Sequence, residues 1–367
     1  MIERLEIQPY RLPLRKPWRS ARGVLQARSG WLLIAQAGGR RGYGDCAPLP
    51  EAGTESPATA LAALEDWRVR TLGQPLTRVL DAIREDRSPA PAARFALECA
   101  LLDLVALGAG LPLRQWLDPG APDVVAVNAT LGSLREVTPD LIRARGRAGF
   151  RVLKIKVGLE PPAIELRRLT ALARQLPPEV TLRLDANGAW SQDQAAPLLA
   201  ALNHLPIESL EEPLRAPSPE RLQRLQAIAR FPLALDESLH RGATPIALED
   251  LGVRRIVLKP AVVGGLRRTL DLATRAAGMG IEVVLTSLIE SAAGLWPSLQ
   301  LAAALKSPLA QGLATSPWLA RDLGRAPEAE LGHIRLGPEP GGGFHPSPAG
   351  SGSGSGSGTR SGSGSES

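Results

Sequence analysis

Residues 151–213 read RVLKIKVGLEPPAIELRRLTALARQLPPEVTLRLDANGAWSQDQAAPLLAALNHLPIESLEEP, and this stretch decides the fold. Three short β-rich runs, RVLKIKV (151–157), VTLRLDA (180–186) and IESLEEP (207–213), alternate with helical patterns at 160–176 and 191–204. The alternation continues outward on both sides. VVAVNATL (124–131) precedes it, and PLALDES (232–238), RRIVLKP (254–260), IEVVLTS (281–287) and LAQGL (309–313) follow, with helical stretches at 217–229, 264–279 and 291–305. Regular strand–helix repetition over about 200 residues requires parallel strands, in a closed barrel or a doubly wound sheet. Eight units favour the barrel.

The segment before the repeat is different. Strands at IERLEIQPYRL, SGWLLIAQAGG and RRGYGDCAPLP are followed by helical patterns at 57–71 and 89–109, which predicts an α+β unit of residues 1–110. Residues 111–325 form the predicted α/β barrel, and about 315–337 are expected to return to the first unit. From 338 to 367 the chain is rich in Gly, Ser and Pro, and the composition predicts a disordered tail.

Composition excludes several function classes. With 44% hydrophobic and 22% charged residues the chain reads as an ordinary globular protein. It contains no apolar run of about 18 residues, and its N-terminus has no apolar core of the kind a secretory signal needs. A cytoplasmic enzyme without a membrane partner is therefore expected. The pI near 9.9 invites a nucleic-acid reading, but the basic residues are scattered and only 4% of residues are aromatic. A solvated Arg surface is the better account, and a small-molecule carboxylate the expected partner; oligomeric state is left open. Cys46 and Cys99 make no disulfide framework. His204, His240, His333 and His345 sit away from strand ends at no ligand spacing and are read as surface residues.

Only five of the 43 basic residues are lysine, namely Lys16, Lys154, Lys156, Lys259 and Lys306. Arg cannot lose its proton at usable pH, whereas a buried Lys can become a base, so each Lys here needs a reason. Lys154 and Lys156 share one face of a strand, and Lys259 ends another. Between them in sequence come Asp185, Glu211 and Asp236, each closing a strand, at spacings of 26 and 25 residues. Successive barrel strands converge at their C-terminal rim, so the three carboxylates are expected to meet there. Together they call for a cation, and oxygen-only ligands favour a hard ion such as Mg²⁺. Taken singly, each carboxylate could instead cap a helix, and the lysines could simply pair with the acids. Repulsion within Lys154-Ile155-Lys156 would lower the pKa of Lys156, as a base requires.

KIKVG, LRLDANGAW, LEEPL, ALDESL and VLKP followed by VGG resemble the enolase superfamily, in particular its muconate-lactonizing subgroup. GYGDCAPLP and FALECALLDL fall where its capping domain is expected, so the resemblance spans about residues 1–325. It implies a modified (β/α)8 barrel, written (β/α)7β, under an N-terminal α+β cap. It also implies Mg²⁺, for which Mn²⁺ can substitute, held by Asp185, Glu211 and Asp236. LRLDAN, VLKPAVVGGL and TSLIESAAGL are similar to the o-succinylbenzoate synthase family. That likeness implies a hydro-lyase that dehydrates a hydroxy-cyclohexadiene carboxylate through a metal-stabilised enediolate. N-acylamino acid racemases, dipeptide epimerases and muconate-type cycloisomerases are the alternatives.

In this reading Lys156 is the base and then the acid. Lys259 stays a cation over the substrate ring, and Lys154 keeps Lys156 neutral while touching the substrate carboxylate. Arg183 either contacts substrate or makes a structural ion pair. Asn187, Thr286 and Ser287 are candidate substrate contacts, although Thr286 and Ser287 read equally well as turn residues. Glu212 and Glu237 stand beside ligands and would tune Lys259 or the metal. The segment WRSARGV, Trp18–Val24, resembles the lid over the site, and the Gly264-Gly265 pair is read as a turn rather than a phosphate loop.

Overall fold

In a computed structural model, residues 1–20, 23–239 and 247–347 are described. The chain opens with three antiparallel strands, β1 (Arg4–Ser20), β2 (Gly23–Ala37) and β3 (Arg40–Cys46), in the order β1-β2-β3. Gly38 and Gly39, at φ 56° and 71°, make the two-residue turn between β2 and β3, a left-handed pair that glycine adopts without strain. Helices α1 (Pro57–Thr71), α2 (Leu76–Glu85) and α3 (Pro91–Ala109) follow. α3 is buried almost all round and lies directly on β3. A Cβ at Gly44 would collide with the Ala96 carbonyl, and one at Gly42 with that of Ala100, so these glycines set how closely helix and sheet approach.

After α4 (Leu113–Leu117) and β4 (Val124–Ala126), seven parallel strands form one sheet. They are β5 (Ala129–Ser133), β6 (Val152–Lys156), β7 (Thr181–Asp185), β8 (Ile207–Glu211), β9 (Leu233–Leu235), β10 (Arg255–Leu258) and β11 (Glu282–Leu285), in sequence order across the sheet. The connecting helices are α5 (Pro139–Arg147), α6 (Pro162–Ala173), α7 (Gln192–Leu202), α8 (Pro219–Ile228), α9 (Pro260–Val263), α10 (Leu266–Gly278) and α11 (Ala292–Leu305). Ser and Thr place their starts: Thr138 caps α5, Ser218 caps α8, and Ser191 with Gln194 forms a capping box on α7.

The ring closes through the segment expected to be an eighth strand. Residues 309–313 are not a full strand, but Gln311 bridges Val127 and Gly312 bridges Thr286, both in parallel sense. The expected strand 124–131 is likewise divided. β4 turns away to pair antiparallel with β12 (His333–Arg335), and only β5 joins the barrel.

The expected disordered tail needs correction at its start. Residues 338–347 pack against the first unit: Phe344 is buried and meets Tyr43 edge-on at 5.2 Å, and the Gly342 N–H donates to Asp103 at 2.7 Å. The glycines there allow close approach, since a Cβ at Gly341 would run into the Asp103 carboxylate. Residues 348–367 and His240 lie outside the described residues. His204, His333 and His345 are exposed, and Cys46 and Cys99 are buried free thiols. Among the described residues no helix is long and apolar enough to cross a membrane.

Candidate active site

Strand pairing converts sequence spacing into proximity. Lys156 stands opposite Asp185, and Asp185 opposite Glu211, so the last residues of β6, β7 and β8 form one rung. Asp236 follows β9 by one residue and Lys259 follows β10 by one. All three carboxylates and Lys259 are buried, while Lys154 and Lys156 are half-buried.

The charges are matched in pairs. The Lys154 ammonium lies 3.1 Å from Asp185 and donates to Glu211 as well. Lys259 donates to both carboxylate oxygens of Asp236. Lys156 makes no ion pair with a described residue; its Nζ lies 5.1 Å from the centroid of the Trp18 ring. Burial pulls all three lysines down, but for Lys154 the nearby Asp185, Glu211 and Asp236 outweigh it and raise the pKa. The same holds for Lys259 beside Asp236 and Glu237. Lys156 ends lowered, because burial and the Lys154 charge exceed what Asp185 gives back. The carboxylates divide similarly. Burial raises Glu211, assisted by Asp185 and Asp236, whereas Lys154 and Lys156 overcome burial at Asp185 and lower it. Glu237 is pushed up to about 7 by burial and by Asp236.

Among the described residues no group of three Asp, Glu, His or Cys is gathered as a ready-made metal cage. The donor set nevertheless fits a hard cation: three buried carboxylates stand at adjacent strand ends and offer oxygen ligands alone, with Lys154 and Lys259 paired to them here.

Two left-handed residues shape the rim. Asn187 at φ 45° follows β7, its backbone N–H donating to Asp185 at 3.1 Å and its side chain to Glu237 at 3.5 Å. Glu212, also at φ 45°, follows β8 and accepts from the backbone N–H of Asp236 at 2.7 Å and of Ser238 at 2.9 Å. It is a bolt that fixes the Asp236 loop, and its buried carboxyl is raised. Strain of this kind concentrates at sites whose geometry the surrounding structure enforces.

A cavity of about 200 Å³ opens onto this rung, between the barrel rim and the β1–β2 hairpin. Lys154, Lys156, Asp185, Asn187, Asp236, Glu237 and Lys259 reach it, as do Thr286 and Ser287. Both hydroxyls are engaged: Thr286 donates to the Gly312 carbonyl at 3.1 Å, and Ser287 shares a hydrogen with Thr315 at 2.7 Å.

Arg183 is not in this cavity, which corrects the substrate-contact reading. It is 1% exposed and donates to Glu208 at 3.0 and 3.2 Å, to Asn128 at 3.1 Å and to the Ala310 carbonyl at 3.0 Å. Lying two residues before Asp185, it is about 6–7 Å further down the barrel. Four of its five N–H donors are engaged, tying β7 to β8 and to the segments at Asn128 and Ala310.

The sequence reading missed the aromatic wall. Trp18 and Trp318 meet edge-on with centroids 4.6 Å apart, and both line the cavity, together with Leu49 and Glu51 of the first unit. Trp18 stood in a quoted motif, but nothing in its spacing says which strand it would face. Residues 21–22 of the expected lid lie outside the described residues.

Comparison with known proteins agrees with this geometry. The family described as Enolase C-terminal domain-like matches residues 138–350, and the one described as MenC, N-terminal domain, matches residues 2–104. The o-succinylbenzoate synthase of Yersinia pseudotuberculosis serotype I (strain IP32953) is 32% identical over 294 residues, covering 79% of this chain and 83% of the relative. That of Yersinia enterocolitica serotype O:8 is 33% identical over 304 residues with the same coverage. Among solved structures, the L-Ala-D/L-Glu epimerase from Bacillus subtilis superposes with a TM-score of 0.83 at 23% identity, covering 94% of this chain and 98% of that one. The dipeptide epimerase from Methylococcus capsulatus, complexed with Mg ion, superposes with a TM-score of 0.81 at 28% identity, covering 94% and 99%. The barrel, its cap, the family models over both parts of the chain and the relatives agree: this chain belongs to the enolase superfamily and, within it, to the o-succinylbenzoate synthase family.

Proposed function

We propose that the chain dehydrates 2-succinyl-6-hydroxy-2,4-cyclohexadiene-1-carboxylate to 2-succinylbenzoate, as an o-succinylbenzoate synthase. The observation that supports this most is the inequality of its two opposed lysines. Lys156 makes no ion pair with a described residue and has a lowered pKa; Lys259 is held by both oxygens of Asp236.

The Nζ of Lys156 takes the proton α to the ring carboxylate, then returns it to the departing hydroxyl, so that one water leaves and the ring becomes aromatic. Lys259 remains an ammonium on the opposite flank and stabilises negative charge that develops on the substrate. Asp185, Glu211 and Asp236 would hold Mg²⁺, with Mn²⁺ able to replace it. When bound, the cation supplies positive charge to the substrate carboxylate. Lys154 keeps Asp185 and Glu211 charge-balanced and adds repulsion that disfavours the Lys156 cation. Asn187 orders the Asp185 carboxylate from its backbone, and Thr286 and Ser287 shape the far wall. The cap, residues 1–110 with 315–337, closes the pocket over the barrel of residues 111–325. A cytoplasmic setting fits the two buried free thiols.

Racemisation of an N-acylamino acid or dipeptide is the second reading, since the Mg-complexed dipeptide epimerase from Methylococcus capsulatus shares the fold at 28% identity. It needs both lysines as bases, whereas the relatives over most of the chain are o-succinylbenzoate synthases. Incubation with the cyclohexadiene carboxylate and Mg²⁺ decides between them. The expected result is aromatic product, lost with EDTA and restored by Mg²⁺. Deuterium exchange at the α-carbon of N-succinylamino acids without any dehydration would establish the racemase instead.

A further inference from the structure

We propose that Trp18 is a positioning residue for Lys156: its indole, braced by Trp318, holds the lysine side chain over the substrate and stabilises the ammonium formed when Lys156 takes a proton. This rests on Lys156 being the base of the dehydratase reading. Three lysines reach the cavity, and two of them are anchored to carboxylates. Lys156 is instead anchored to an aromatic face, with Nζ 5.1 Å from the ring centroid, inside the range of about 6 Å over which a cation is attracted to an indole.

The partner suits the task. A carboxylate at this point would keep Lys156 protonated and spoil it as a base. An alkyl side chain would give the nascent ammonium nothing. An indole face lies between these limits, attracting the cation without a full opposite charge.

The chain is arranged to deliver the ring. The β1–β2 ladder is regular from Arg4 to Pro13, then shifts register and resumes at Trp18 opposite Leu25. Irregularities of this kind re-aim side chains beside active sites. Trp318, from the 3-10 turn Ser316–Trp318, meets Trp18 at 77° and 4.6 Å between centroids, a favourable edge-to-face contact. A residue of the β1–β2 hairpin, held by a residue of the turn Ser316–Trp318, thereby reaches the last side chain of β6.

Lysine labelled with ¹³C at the ε-carbon gives five sites in the whole chain, which makes the contact measurable without turnover. With Lys156 assigned from Lys156→Arg, its resonance is expected to be displaced upfield by the indole ring current and to return toward the Lys16 position in Trp18→Leu. In the same variant kcat is expected to fall about two- to thirtyfold, the span of cation–π strengths, with KM within about twofold. Trp18→Phe, which keeps an aromatic face, is expected to recover most of kcat. A Lys156 resonance that does not move in Trp18→Leu, or a kcat equal to that of the parent, overturns the proposal; so does a loss that appears only in KM. If the parent protein forms no 2-succinylbenzoate, the dehydratase reading falls, and the resonance comparison alone decides the Trp18–Lys156 contact.

Discussion

Replacing Arg183 by methionine separates a structural cation from a substrate-binding one. The side chain is 1% exposed and makes four hydrogen bonds, two of them to Glu208. Methionine keeps the length and removes every donor, leaving the buried Asn128 Oδ1 and the half-buried Ala310 carbonyl without that partner. Each orphaned acceptor costs about 1–3 kcal/mol. Glu208 is not stranded, because Arg255 and Ser209 still donate to it. Its carboxyl, pushed up by burial but overcome by Arg183 and Arg255, stands at about 2, so it stays charged and loses half of its support. The total is about 3–5 kcal/mol, the usual cost of breaking a buried pair, or about 5–10 °C in Tm. Thermal unfolding followed by circular dichroism reads this directly, beside steady-state kinetics on the same samples. The expected pattern is a large fall in Tm with KM nearly unchanged among the molecules still folded. Adding Glu208→Gln to Arg183→Met is expected to cost less than Glu208→Gln alone, with a coupling above about 1 kcal/mol. An unchanged Tm with a tenfold rise in KM would instead make Arg183 a substrate contact.

Gly44→Ala is expected to destabilise by about 3 kcal/mol, because the new methyl meets the Ala96 backbone carbonyl of α3 and neither can yield; denaturant unfolding checks this. Asp103 carries a pH signature. Burial raises its carboxyl to about 6 against the pull of the Gly342 and Tyr43 N–H donors, so the folded state binds its proton more tightly than the unfolded state does. Its contribution is therefore fully present below about pH 4 and lost as pH rises through about 6. Tm measured from pH 4 to 7 is expected to lose part of its slope in Asp103→Asn, and an unaltered slope contradicts this. Glu212→Gln keeps an acceptor for Asp236 and Ser238, whereas Glu212→Ala releases that loop; the alanine variant is expected to lose at least about tenfold in kcat and the glutamine much less.

The parts of this protein that sequence could reveal are those set by period and spacing. Lys156, Asp185 and Glu211 share a rung because each ends its strand, and parallel register carries that order directly into space. Arg183 was ambiguous for the same reason. Position i and i+2 alternation puts it on the face of Asp185, but depth along the barrel, not face, decides whether a side chain meets substrate or the Glu208 pair below. In the segment 338–347 glycine composition suggests freedom, whereas Gly341 lets the chain pass close to the Asp103 carboxylate. Trp18 was hidden more deeply: its contact with Lys156 joins residues 138 positions apart through a register shift in a hairpin, and no local pattern encodes it.

Lys156, alone of the lysines around the cavity, is proposed to remove the proton. Lys156→Ala, checked for native circular dichroism and assayed with the cyclohexadiene carboxylate and Mg²⁺, tests it most directly. Product formation is expected to fall by at least about a thousandfold, with no deuterium incorporated into recovered substrate from heavy water. Turnover within about tenfold of the parent protein would contradict it.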